Sequence, residues 1–452
     1  MNNNQSTRSI LDDPREGKPK SLVSDSDEAL FTRPWRNRLV GLLRMLIPVH
    51  IDESRQIWVD SAESLEAFID KLDCADCDFS GIEYVVIVDS ITDIYDIVDF
   101  FSKLRFRLPD RARVIFTGYN FLWAPLFKLG AMLGLSRRRP ELKFYLEADL
   151  NTFLEMAGWE NVRRIHPYFL PVEVPVLSAV FDRFLIRLPL LRRLSLNTVF
   201  IARKGFGHAV EECSVSVLVP CKNEENNIEA VIKRIPEMGS FTEIVFINDK
   251  STDGTEALIK DQQQLSPERR IVLVQGEGRG KGHAVRSGMA AVSGDICMIL
   301  DADLTVTPED LPQFYEAMKW RQADFIHGTR MVYPQEQDAM RYFNLLGNMG
   351  FAMIFSYILE QRTTDTLCGT KVFWRRDWPL FEDIRERLAE VDVWGDYDLI
   401  FGATFFSLKV TQIPVHYFER LEGETKMLKR VRNALIMLRV AWYALWRIKF
   451  MK

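Results

Sequence analysis

Four times between residues 214 and 303 an apolar run closes in a polar turn: SVSVLVP (214–220), EIVFIND (243–249), RIVLVQG (270–276) and DICMILDAD (295–303). Each is followed by a stretch of helical character. Strand alternating with helix at this spacing predicts a mostly parallel sheet with helices on both faces. Ligands of such sheets lie beyond the carboxyl ends of the strands. The residues to read are therefore Asn223 and Glu224, Asn248 and Asp249, and Asp301 and Asp303.

Acids from three strand ends repel one another in a shared crevice unless a cation sits among them. Mg²⁺ or Mn²⁺, held by one or two carboxylates and the oxygens of a diphosphate, satisfies that demand. In extended chain, positions i and i+2 point to the same side, so Asp301 and Asp303 converge. Alone, Asp-x-Asp reads equally as a pair of turn formers, with Pro308-Glu309-Asp310 as a helix start.

A chain of 452 residues is too long for one ordinary core. From about 31 to 205 the strands YVVIVDS, ARVIFTG and NTVFIAR alternate with helical segments, and KGFGHAVEEC (204–213) is a polar joint. The organisation read from this is a disordered polar tail (1–30), an α/β domain (31–205), a linker (206–213), a second α/β domain (214–425) and a basic terminal helix (426–452). The net charge of −5 gives no global reason to expect nucleic acid. Of six cysteines only Cys74 and Cys77 are close, and without a second pair they read as free or buried thiols. No run of 18 apolar residues occurs, so the expectation is a cytoplasmic protein bound peripherally to the membrane.

Residues 426–452 hold eight Lys or Arg and no acid. On a helix, Arg432, Arg439, Tyr443 and Arg447 share one stripe and Leu435, Leu438, Trp442 and Leu445 the other side, which predicts a helix lying in a membrane surface. Packing on the protein's own core or in a homo-oligomer is the alternative.

VPCKNEENNI (219–228), FINDKSTDGT (246–255), GRGKGHAVRSGM (278–289), LDADL (300–304), GTR (328–330), DTLCGTKVF (365–373) and RLEGETK (420–426) together resemble a family 2 glycosyltransferase with the GT-A fold. The resemblance is to the branch that contains dolichyl-phosphate and undecaprenyl-phosphate sugar transferases. It implies a Rossmann-like domain that takes a UDP- or GDP-sugar with Mg²⁺ or Mn²⁺. Pro220, Asn223 and Glu224 would line the nucleoside pocket, and Asp249 would accept from the base. Asp301 would bridge ribose and metal, Asp303 would be a metal ligand, and Ala302, Lys281 and Lys426 would complete the donor contacts. Where the family often has glycine this chain has Lys250, and where relatives often have glutamine it has Thr305.

The resemblance also implies inversion at the anomeric carbon by direct displacement. A polyprenyl phosphate acceptor is already nucleophilic at neutral pH and needs no strong base. The expected catalytic group is Asp303, Arg420, Arg330 as the grip on the acceptor phosphate with Arg341 second, and Asp398 with Asp396 on the acceptor side. A glycan or protein hydroxyl acceptor would instead require one of these acids as general base. A non-catalytic scaffold that binds nucleotide or lipid is the third reading.

Residues 84–203 resemble the carboxyl half of a class I S-adenosylmethionine-dependent methyltransferase, through VIVDSITDIYDIVDFFSKLRFRLPDRARVIFTGYN, YLEADLNTFLEMAGWENVRR and NTVFIARK. No glycine-rich strand-loop precedes them, only IPVHIDESRQIWVDSAES, so no S-adenosylmethionine is expected there. The expectation is a degenerate module that packs on the transferase or recruits a partner.

Overall fold

The computed structural model describes residues 33–132, 145–169, 181–182, 186, 188, 191–205, 212–333, 342–361, 363–382, 395, 397–418 and 430–446. The chain divides into two compact units, Met1–Gly205 and Phe206–Lys452.

The first unit is built from α1 (Arg33–Met45), β1 (Gln56–Val59), α2 (Ala62–Asp73), β2 (Tyr84–Ile87), α3 (Ile97–Arg107), β3 (Arg113–Tyr119), α4 (Ala124–Met132), α5 (Glu147–Met156), β4 (Trp159–Ile165) and β5 (Asn197–Lys204). Its sheet runs β1-β2-β3-β5-β4. β1, β2 and β3 are parallel, whereas β5 is antiparallel to both of its neighbours. Both faces are covered, one by the cluster around Phe101, Phe116 and Trp159 and the other by that around Leu39, Leu43 and Ile115. Cys74 is exposed, Cys77 is half-buried, and both are free thiols.

The second unit comprises β6 (Val215–Cys221), α6 (Ile228–Arg234), β7 (Thr242–Asn248), α7 (Thr255–Leu265), β8 (Arg270–Gln275), α8 (Lys281–Met289), β9 (Ile296–Ile299), α9 (Leu311–Lys319), β10 (Phe325–Thr329), α10 (Tyr342–Leu359), β11 (Lys371–Trp374), α11 (Tyr397–Phe405), β12 (Val410–Pro414) and α12 (Arg430–Ala444). The strand order is β12-β10-β11-β9-β6-β7-β8. The interior strands are buried almost throughout, which is why they read as unbroken apolar runs, while the edge strands β8 and β12 are partly open. The sheet is mostly parallel, with β11 reversed against both of its neighbours. After β9 the chain crosses over α9 and returns as β10 one place too far, and β11 fills the gap from the opposite direction.

Val217, Phe246 and Met298 face a core with Val231 and Phe314 from α6 and α9. Leu218, Ile247 and Ile299 face another with Val285, Phe355, Ile400 and Val440 from α8, α10, α11 and α12. Among the described residues no helix is long and apolar enough to cross a membrane. On α12, Met437, Val440, Ala441 and Ala444 are buried, whereas Leu435, Leu438 and Trp442 are exposed. The helix thus packs on its own core and also presents an apolar outer face.

Gly288 lets α8 lie against the sheet, since a Cβ there would come within 2.7 Å of Ile247 Cγ1 and 3.2 Å of Leu218 Cδ2. Gly288→Val should cost about 1–3 kcal/mol by overpacking and tilt α8 off β6 and β7. Denaturant unfolding reads the first effect, and nucleotide affinity reads the second.

Candidate active site

Strand register decides which residues meet. Cys221 lies opposite Asn248 and Asn248 opposite Gln275, while Leu218 pairs with Ile299. Glu224, Asp249 and Asp301 therefore leave the sheet at one edge. β11 arrives from the other side with Lys371 beside both Ile299 and His327. That brings Cys368, Gly369 and Arg330 to the same edge.

Three of the strand-end turns pass through a non-glycine residue in the left-handed region: Asn223 (φ 55°), Lys250 (φ 57°) and Leu304 (φ 56°). Such conformations cost on the order of 1–3 kcal/mol and gather at functional sites. Lys250 stands where the family often has glycine, and its backbone takes the conformation glycine favours. The Asn223 side-chain oxygen accepts from Thr252 N–H at 2.8 Å. Glu224 accepts from Asn227 Nδ2 at 2.8 Å, and its own N–H donates to Thr255 Oγ1 at 3.0 Å. Pro220, next to last in β6, is half-buried beside Ile247.

Asp249 is buried and holds the glycine loop. Its Oδ1 accepts from Gly278 N–H at 2.7 Å and its Oδ2 from Gly280 N–H at 3.1 Å. The carboxylate expected to meet a base is thus engaged with 276–280. Lys281 opens α8 directly after that loop and places its ammonium 2.7 Å from Asp301 Oδ1. A Cβ on Gly369 would lie 1.9 Å from Asp301 Oδ2 and 2.9 Å from Lys281 Nζ. Only glycine leaves room for this pair.

Asp303, almost fully buried, accepts through Oδ1 from Thr305 N–H at 3.1 Å and from Thr305 Oγ1 at 2.8 Å. The Thr305 hydroxyl is spent on orienting Asp303, and Thr305 O accepts from Phe418 N–H at 2.9 Å. Ala302 and Leu304 are anchored in the core beneath the turn. Among the described residues no group of three or more His, Cys, Asp or Glu could hold a metal by itself. Two carboxylates, one of them already drawing a cation, suit a hard divalent ion that takes its remaining ligands from water and phosphate.

Arg330 corrects an expectation. Its Nε and Nη2 donate to Asp365 Oδ2 and Oδ1 at 2.7 and 2.9 Å, and its backbone N–H adds a third bond at 3.1 Å. The guanidinium lies over the Tyr417 ring at 5.0 Å. A fork closed on a fully buried aspartate holds the 365–370 segment to β10 rather than standing open to grip an acceptor phosphate. Burial alone would raise the Asp365 carboxyl, but Arg330 outweighs it and holds it at about 2. Beside this pair Lys371 is fully buried and donates to Cys368 O. Burial, and then the Lys371 charge, push His327 down to about 3, so it stays neutral and meets Gln412 Nε2 at 2.9 Å.

Asp398, expected on the acceptor side, sits in the first turn of α11 and accepts from Arg286 Nη2 at 2.7 Å. Gly282, Trp378, Phe381 and Gly395 line a small, partly open recess around this pair. Arg341, Asp396, Arg420, Lys426 and Arg447 lie outside the described residues.

Asp365, Gly369 and Arg286 all fall within motifs read from the sequence, yet carried no role there. Their partners are 35, 68 and 112 positions away (Arg330, Asp301 and Asp398), so only the fold reveals them.

Since folding lowers the Asp365 carboxyl from 3.8 to about 2, the pair stabilises the unit above about pH 4 and that contribution is lost as pH falls towards 2. Asp365→Asn should cost about 3–5 kcal/mol at neutral pH by leaving Arg330 buried and unpaired. It should also flatten the acid limb between pH 4 and 2, as read by urea unfolding across that range.

Residues 216–378 match the family model described as glycosyl transferase family 2. The chain is 26% identical over 262 residues to human dolichyl-phosphate beta-glucosyltransferase, covering 52% of this chain and 79% of that protein. It is 28% identical over 221 residues to the undecaprenyl-phosphate 4-deoxy-4-formamido-L-arabinose transferase of Salmonella paratyphi B, covering 47% of this chain and 62% of that protein. Among solved structures, glucosyl-3-phosphoglycerate synthase from Mycobacterium tuberculosis with Mn²⁺, UDP and glucosyl-3-phosphoglycerate aligns at 18% identity and a TM-score of 0.35, covering 53% of this chain and 81% of that one. A mannosyltransferase from Pyrobaculum calidifontis in complex with GDP-Man and Mn²⁺ aligns at 20% identity and a TM-score of 0.35, covering 52% and 66%. The second unit therefore carries a glycosyl transferase family 2 domain over residues 216–378, and the chain is a glycosyltransferase.

Proposed function

We propose that this enzyme moves a sugar, with inversion, from a nucleoside diphosphate sugar to a polyprenyl phosphate at a membrane surface. One observation carries the choice of acceptor. Asp398, the acid that a hydroxyl acceptor would need as its base, is paired at 2.7 Å with Arg286. A carboxylate held by a guanidinium is a poor proton acceptor and a good anchor for a cation that meets phosphate. The 28% identity to an undecaprenyl-phosphate transferase and the 26% identity to a dolichyl-phosphate one support the same reading. So does the apolar outer face of Leu435, Leu438 and Trp442 on α12, with exposed Met349 and Met353 on α10.

The acceptor phosphate carries close to two negative charges at neutral pH, so its oxygen attacks the anomeric carbon without prior deprotonation. The bond to the diphosphate oxygen breaks, and the nucleoside diphosphate leaves with both electrons. Asp301 and Asp303 would hold the divalent cation, which neutralises the charge growing on that diphosphate. The Thr305 bonds fix Asp303 for this task, and Asp249 fixes the loop that leads into Lys281. Arg286, oriented by Asp398, is placed to draw the acceptor phosphate towards the recess.

Incubation with Mn²⁺, a polyprenyl phosphate and a panel of UDP- and GDP-sugars should yield a glycolipid from one donor. Asp303→Ala should lower turnover by about 10²–10³. Asp398→Asn should lower it less than about tenfold, whereas loss by about 10²–10⁴ with a sugar acceptor would assign Asp398 as a base and the acceptor as a hydroxyl. No product and no donor hydrolysis with any sugar would overturn the proposal.

For the first unit, a non-catalytic methyltransferase-like module is the reading we favour. Its final strand, NTVFIARK, lies antiparallel between β3 and β4, and the two-residue turn from β1 into α2 is Asp60-Ser61, without glycine. Calorimetric titration of the full chain with S-adenosylmethionine should give no binding heat, and saturable heat would overturn that reading.

A further inference from the structure

We propose that Lys281 is a resident counter-ion for Asp301, which a divalent cation must displace before the donor is held, and that the displaced ammonium then serves the diphosphate. The inference deepens the donor-site reading above and rests on it.

Three observations converge. The ammonium lies 2.7 Å from Asp301 Oδ1, so the carboxylate that the metal would share already carries a cation. Gly369 clears the space: its missing Cβ would stand within 1.9 Å of Asp301 Oδ2 and 2.9 Å of Lys281 Nζ. The root of the lysine is fixed, because α8 is packed on the sheet through Gly288 and its entry loop is tied to Asp249 through Gly278 and Gly280. Only the side chain has room to move.

The pair is built to exchange. Both side chains are partly exposed, 25% for Lys281 and 31% for Asp301, and an ion pair in that setting is weakly held. An ammonium and a divalent ion on the same carboxylate repel strongly a few ångströms apart, so they occupy it in turn. A lysine displaced from Asp301 keeps its root at the amino end of α8, where a diphosphate is the nearest strong anion that the donor brings. Lys281 therefore weakens the bare metal and strengthens the metal with nucleotide. Metal and donor are coupled through it.

Full-length protein is titrated calorimetrically with MnCl₂ alone, then with UDP and with GDP in saturating Mn²⁺, for wild type, Lys281→Gln, Lys281→Met and Lys281→Arg. Removing the charge should tighten Mn²⁺ alone by about fivefold, the scale of one exposed ion pair, and weaken the nucleoside diphosphate by a similar factor. Lys281→Arg should keep the wild-type order, and Asp301→Asn should lose Mn²⁺ in every background. Circular dichroism identifies any variant that fails to fold, and Gln and Met serve as independent neutral replacements. If neither neutral variant tightens Mn²⁺, or if both parameters move in the same direction, the proposal is overturned. If wild type binds neither Mn²⁺ nor either nucleotide, the donor-site reading itself fails, which is a different result.

Discussion

The candidate site hangs from the hydrogen-bond register of β6 with β7 and β9. Because these strands are parallel and level, the polar residues at the end of each apolar run leave the sheet at one edge. A slip of one residue would turn Asp249 or Asp301 to the opposite face. The buried apolar side chains on both faces set that register, so core packing and site geometry are one constraint. The antiparallel strand β11 then delivers Gly369 against Asp301 and Asp365 against Arg330.

Like charges at this edge are not left to repel. Lys281 meets Asp301, Arg286 meets Asp398 and Arg330 meets Asp365. The three pairs differ in burial and hence in what they can do. Arg330 and Asp365 are sealed and act as a rivet. The pair of Lys281 and Asp301 is open to solvent and can be exchanged.

The sequence made the strand ends legible because buried parallel strands announce themselves as apolar runs, and the polar residues just past such runs must lie at one edge. It made Asp301 and Asp303 legible by their spacing. Arg330 was misread because a guanidinium beside a strand end looks the same whether its partner is phosphate or aspartate, and Asp365 lies 35 residues away. Gly369 carried no sequence signal, since the reason for glycine there is a neighbour brought by another strand. The reversal of β11 was hidden for a similar cause: that strand is as apolar as its parallel neighbours, and direction leaves no mark in composition. The tail was read as either interfacial or packed, and α12 does the second while exposing the face needed for the first.

That double use of α12 has a mechanical meaning. Met437, Val440, Ala441 and Ala444 sit in the same core as Val285 of α8 and Ile299 of β9. A surface that takes up Leu435, Leu438 and Trp442 does not capture a loose tether; it grips a face of the catalytic unit itself. Docking would then set the bearing of the donor crevice as well as its distance, and the helix would work as a handle without a hinge.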